Sequence, residues 1–85
     1  MIDNDKYYII DGNYVVTICD SRRQAFERLL EEIDKRDYDY KTAVFFKSAV
    51  STAYLDKFRP TSFGIGNLYA KKKEYFGRIH TFSWL

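Results

Sequence analysis

The chain has 85 residues, enough for one domain with a small core and too few for a large enclosed active site. One cysteine and one histidine exclude an internal disulfide, a cysteine-based zinc finger and a multi-histidine metal site, while 8 Tyr, 7 Phe and 1 Trp argue against a disordered chain. The formal net charge of +2 conceals an asymmetry between the two halves, taken up below.

The polar, acidic start, Met1 to Lys6, has no signal-peptide character, and no apolar run approaches the length of a transmembrane helix. A cytoplasmic protein with no membrane partner is therefore expected. Lys6–Ile10 and Tyr14–Ile18 are aromatic and β-branched runs on either side of Asp11-Gly12-Asn13, which predicts a β-hairpin. A turn at Asp11-Gly12 pairs Ile9 with Tyr14. A turn at Gly12-Asn13 pairs Ile9 with Val16 and Tyr7 with Ile18. Both registers place Tyr7, Ile9, Tyr14, Val16 and Ile18 on one face, and leave Tyr8, Ile10 and Val15 on the other.

Ser21 followed by Gln24 has the form of a capping box. Phe26, Leu29, Leu30 and Ile33 then recur on one helical face, which predicts a helix over residues 21–36. Opposite charges at i,i+4 support it: Arg23–Glu27, Arg28–Glu32, Glu31–Lys35 and Glu32–Arg36. Asp37 to Tyr40 reads as a loop. For residues 42–58 a helix is preferred, because Phe46, Ala49, Val50, Ala53 and Tyr54 form a stripe and Pro60 supplies a stop; residues 42–46 alone also fit a strand.

Phe63–Ala70 and Tyr75–Trp84 read as a second hairpin around Lys71-Lys72-Lys73-Glu74. In that register Phe63, Ile65, Asn67, Tyr69, Phe76, Arg78, His80, Phe82 and Trp84 share a side. The apolar end at Trp84-Leu85 predicts a packed C-terminus. The expected architecture is a single α+β domain over residues 1–85, in the order ββααββ, with a mostly antiparallel sheet and two helices on one face.

Motifs of chemistry are weak. Cys19 precedes a helix N-terminus, where the dipole lowers a thiol pKa, and His80 is a conceivable base; a small buried cysteine is the preferred reading. Asp37 and Asp39, like Asp3 and Asp5, have D-x-D spacing but lack the glycine of a calcium loop, so solvated carboxylates are preferred. Gly64-Ile65-Gly66 lacks the Lys-Ser/Thr and the following helix of a phosphate loop. No catalytic, cofactor or metal residue is assigned.

Two features stand out. Arg22-Arg23 opens the first helix, where cations oppose the helix dipole. They make either an anion-binding spot or, as preferred, one arginine paired with Glu27 and one exposed. The second is the charge split: residues 1–40 hold six bases against ten acids, net −4, and residues 41–85 eight against two, net +6, with ten of the aromatics.

The expected function is a non-enzymatic protein-binding module, a small regulator or inhibitor of a larger host enzyme or complex. Compact phage or mobile-element proteins have such a size and composition. Self-association to a homodimer through a sheet edge or aromatic face is a candidate arrangement. The alternative is a nucleic-acid-binding module in which Lys71, Lys72, Lys73, Arg78 and Lys57 contact phosphates and Tyr69, Phe76 or Trp84 stack on bases. Arg22 and Arg23 complete the set of candidate partner-binding residues.

Overall fold

The computed structural model describes residues 6–58, 62–72 and the backbone of residues 83–84. Strands β1 (Tyr7–Asp11) and β2 (Tyr14–Cys19) form the first hairpin, closed at Gly12-Asn13, where Gly12 has φ +62°. Glycine first, followed by a residue at negative φ, is the requirement of a type II′ turn. Asp11 faces Tyr14 and Ile10 faces Val15, but the register then slips, so that Ile9 faces Thr17 and Tyr7 faces Cys19. This bulge overturns the expected face. Val16 and Thr17 both lie opposite Ile9, and every later residue of β2 is inverted. Tyr7, Ile9 and Cys19 are buried toward the helices, while Ile18 turns to the opposite face and is exposed.

Helix α1 (Arg22–Lys35) begins as its capping box dictates. The Ser21 hydroxyl accepts from the Gln24 N–H at 3.1 Å, and the Gln24 side-chain oxygen accepts from the Asp20 N–H at 2.9 Å. It ends at Arg36, after which Asp37 takes the left-handed conformation at φ +55°. That geometry suits the position after a helix end, and Asp is among the residues that tolerate it.

Helix α2 (Tyr40–Leu55) excludes the strand alternative for residues 42–46. It starts earlier than expected, because Asp39 is an N-cap that accepts from the Thr42 N–H at 3.2 Å; Tyr40 is therefore helical, not loop. It also stops before Phe58. The Asp56 carboxylate accepts from the Phe58 N–H at 2.8 Å, a local turn that competes with further helix.

The second hairpin differs from expectation. Strand β3 (Ser62–Ile65) and strand β4 (Leu68–Lys72) close at Gly66-Asn67, with Gly66 at φ +56°. It repeats the Gly-Asn turn of the first hairpin. Lys71-Lys72-Lys73-Glu74 carries no residue suited to positive φ, and Lys71 and Lys72 continue β4. A two-residue strand, β5 (Ser83–Trp84), lies parallel to β2, not against β4.

The sheet order is β3-β4-β1-β2-β5. The four longer strands are antiparallel, and the helices cover one face, giving an α+β fold in the order ββααββ with β5 added at the edge. Tyr7, Ile9, Leu68, Ala70 and Phe63 meet Ala25, Leu29, Ile33 and Val50 there. Each large side chain removed from water in this way contributes about 1.5–3 kcal/mol. Among the described residues no helix is long and apolar enough to cross a membrane.

Candidate functional site

β4 alternates between the two sides of the sheet. Leu68 and Ala70 are buried toward the helices, so Tyr69 and Lys71 point away. Lys71 faces Tyr8 on β1, and Tyr69 faces Ile10. Burial pushes the Tyr69 phenol up from its ordinary pKa. Lys72 lies opposite Tyr7 on the helix side, so adjacent lysines serve different faces. The expected hairpin tip is thus replaced by a strand next to β1. Trp84 lies in β5 beside Val15. Lys73, Phe76, Arg78 and His80 fall outside the described residues.

Arg22 is tied into the fold. Its Nη2 donates to the Tyr54 carbonyl at 2.5 Å, and its guanidinium carbon lies 4.6 Å from the Phe63 ring centroid and 5.1 Å from that of Tyr54. The last turn of α2 has no basic residue of its own. Arg22 therefore opposes the dipole of α1 while satisfying that of α2. The expectation that one arginine is simply exposed fails here. Arg23 is the surface partner foreseen, 3.8 Å from Glu27 with both side chains largely in water. The two arginines do not converge on one anion.

The other motifs resolve into structure. Burial raises the Cys19 thiol pKa, the direction opposite to that of an activated nucleophile. Asp39 caps α2, and hydrogen bonds from Thr42 hold its carboxyl low. Asp37 occupies the turn after α1. A Cβ on Gly64 would lie 2.4 Å from the Leu68 carbonyl oxygen, which accounts for that glycine by close approach and not by phosphate binding. Among the described residues no His/Cys/Asp/Glu group could hold a metal ion.

Sequence reasoning missed a buried carboxylate. Glu32 is 5% exposed and takes three cations: Arg28 at 2.8 Å, Arg36 at 2.8 Å and Lys35 at 3.3 Å. Lys35 turns to Glu32 and not to Glu31, as the i,i+4 pattern had suggested. Arg36 reaches on to Asp11, joining the end of α1 to the end of β1. Burial by itself would raise the Glu32 pKa, but hydrogen bonds from Arg36, Arg28 and Lys35 outweigh it and pull the carboxyl below its ordinary range. This cluster is saturated with internal partners and locks the fold.

The outer face of α2 was also missed. Lys41 and Lys47 are the helix's only charges, and Lys47 is held by Asp34 at 2.7 Å. Val50 alone is fully buried, with Phe46, Ala53 and Tyr54 packed on the core. The opposite side exposes Phe45 at 65%, Leu55 at 72% and Val44 at 48%. Exposed residues recur as Lys41, Phe45, Ser48, Thr52 and Leu55, steps of four and three that make a straight seam along the helix. Beside Phe45 runs an open groove of about 460 Å³ lined by Ser48, Ala49, Thr52, Ala53 and Asp56. Tyr40 and Phe58 add exposed aromatic surface near its two ends. The signal in the sequence is Val44-Phe45-Phe46: three apolar residues in succession cannot all face one core.

No family model matches the chain, and neither does any curated protein or solved structure.

Proposed function

We propose that this protein is a non-enzymatic protein-binding module, a small regulator or inhibitor of a larger enzyme or complex, and that it docks through the outer face of α2. The observation that carries the reading is the exposure of Val44, Phe45 and Leu55 on the outer side of α2. Large apolar side chains left in water on a helix whose opposite side already fills the core mark a surface for a partner. Covering Phe45, Leu55 and Val44, at 65%, 72% and 48% exposed, would contribute about 1–2 kcal/mol each. A reducing compartment such as the cytoplasm suits the free, buried Cys19.

Capture from host lysate on the immobilised protein tests the reading. A protein retained by the wild type and lost with Phe45→Glu supports it. Retention that ignores Phe45 contradicts it.

A second reading has one specific observation behind it. Tyr8, Tyr69 and Lys71 share the sheet face away from the helices, with Lys71 directly across from Tyr8. Aromatics beside a partly exposed cation on one sheet face are the elements of base stacking with phosphate contact. This reading requires single-stranded DNA or RNA affinity that falls steeply with salt and is reduced by Lys71→Ala.

A further inference from the structure

Asp11-Gly12 is the one Asp-Gly pair in the chain, and it stands at the end of β1, where the first hairpin meets the second hairpin and the end of α1. Asp-Gly is the pair most open to isomerisation, because glycine has no side chain to hinder its amide nitrogen. We propose that Asp11 is this chain's site of spontaneous aspartate isomerisation, held in check in the folded state by Arg36 and by the carbonyl of Asn67. The inference is independent of the docking surface on α2.

The chemistry needs only water. The Gly12 amide nitrogen attacks the carboxyl carbon of Asp11. A C–N bond forms, a carboxyl C–O bond breaks, and water leaves with the amide proton. The product is a five-membered succinimide. Water then adds to its main-chain carbonyl, the C–N bond there breaks, and a proton returns to the Gly12 nitrogen. The main chain now runs through the Asp11 side chain, one methylene longer, and a carboxylate sits directly on Cα. An open cavity of about 240 Å³ beside the pair, lined by Asp11, Arg36, Gly66 and Asn67 among others, admits the water.

The turn accounts for the pair. Gly12 has φ +62° at the first central position of a type II′ turn, where a residue with a Cβ is strained. The hairpin keeps its glycine for that reason, and the fold restrains the reacting groups instead. The Gly12 N–H donates to the Asn67 carbonyl at 2.8 Å, which occupies the nucleophile. The Asp11 carboxylate accepts from Arg36, which holds the electrophile toward the end of α1. The backbone of Asp11 is paired with Tyr14 on one side and Leu68 on the other, and this pairing resists the rotation that ring closure needs. Reaction therefore waits on local opening of this corner, and its rate follows the opened population. After isomerisation the longer main chain and the shortened carboxylate arm no longer fit β4 and Arg36 together.

Peptide mapping with electron-transfer fragmentation, which tells isoaspartate at position 11 from isoaspartate at position 20, tests the proposal on the full chain aged at near-neutral pH. In urea, isoaspartate is expected to gather first at Asp11. In buffer the rate at Asp11 is expected to fall about a hundredfold. Arg36→Ala, verified as folded by circular dichroism, is expected to raise the rate in buffer about tenfold, through loss of a charge-assisted hydrogen bond from the closed corner. Arg36→Lys is the milder variant, with a smaller rise in the same direction. Leu29→Val weakens the whole fold but leaves the partners of Asp11 in place, and is expected to keep the wild-type rate. Equal rates in urea and buffer, isoaspartate at Asp20 ahead of Asp11, or a rate unchanged by both arginine variants overturns the proposal. So does a rise with Leu29→Val that matches the rise with Arg36→Ala, because opening would then be global.

Discussion

Arg22, in the first turn of α1, donates a 2.5 Å hydrogen bond to the carbonyl of Tyr54, in the last turn of α2. One side chain thus serves the far end of the neighbouring helix while its planar face rests on Tyr54 and Phe63. Arg22→Ala is expected to cost about 2 kcal/mol, from a lost charge-assisted hydrogen bond and a lost cation–π contact. Arg22→Lys should recover only part of this, because an ammonium keeps the charge but not the flat fork. Urea unfolding followed by circular dichroism measures both, and wild-type midpoints for the two variants would contradict the assignment.

Glu32 makes stability depend on acid. Its folded pKa lies below the ordinary value of 4.5, so the ionised form is favoured by folding. The stability it contributes is complete above that value and is lost as pH falls through the lower, folded pKa. Glu32→Gln should cost about 1–3 kcal/mol at neutral pH, because charge-assisted hydrogen bonds are lost while the partly exposed cations regain water. It should also flatten the loss of stability below pH 4.5. Unfolding free energies of both proteins at pH 7 and pH 3 decide this; parallel pH profiles would show that Glu32 is not the titrating group.

Gly64 and Gly66 should respond differently to alanine. At Gly64 a Cβ would meet backbone atoms of Leu68 and Tyr69 at 2.4 Å, so β3 must move off β4. A cost of about 3 kcal/mol is expected, at the upper end for overpacking. At Gly66 nothing lies within 4 Å, and only the left-handed φ is strained, for a cost of about 1 kcal/mol. Thermal melts of the two variants should keep that order, and the reverse order would contradict the close β3–β4 approach.

Leu29, at 0% exposed, is central to the packing of α1 on the sheet. Leu29→Ala should cost about 2–5 kcal/mol, while Leu55→Ala, at 72% exposed, should change monomer stability by less than about 0.5 kcal/mol. Denaturant titrations at low protein concentration separate the two. Equal losses would mean that Leu55 is covered within the monomer, and the α2 face would then not be free to dock.

How much of this was legible follows from where each signal resides. The presence of the first hairpin, like the Ser21–Gln24 cap and the Leu29–Ile33 face, is a local pattern and stands as read, while the faces of that hairpin do not. The bulge at Val16 is not local, since no residue type in β2 demands it. The second hairpin turns at Gly66-Asn67 and not at the run of lysines, because that pair repeats the signature of Gly12-Asn13 and the lysines offer no residue suited to positive φ. Arg22 violates a rule of its own helix, and the sequence shows the violation but not the α2 carbonyl that explains it. Phe45 lies one residue before the stripe that begins at Phe46, so a search for core positions passes over it. The docking face is the part of α2 that the core pattern leaves over.

The most direct measurement is photo-crosslinking with a benzophenone amino acid placed at position 45 on α2 and, separately, at position 18 on the far side of the sheet. The account predicts a covalent adduct with protein, a second copy or another chain, from position 45 and not from position 18. Adducts from position 18 alone, or from neither position, would contradict the assignment of α2's outer face as the surface through which this protein acts.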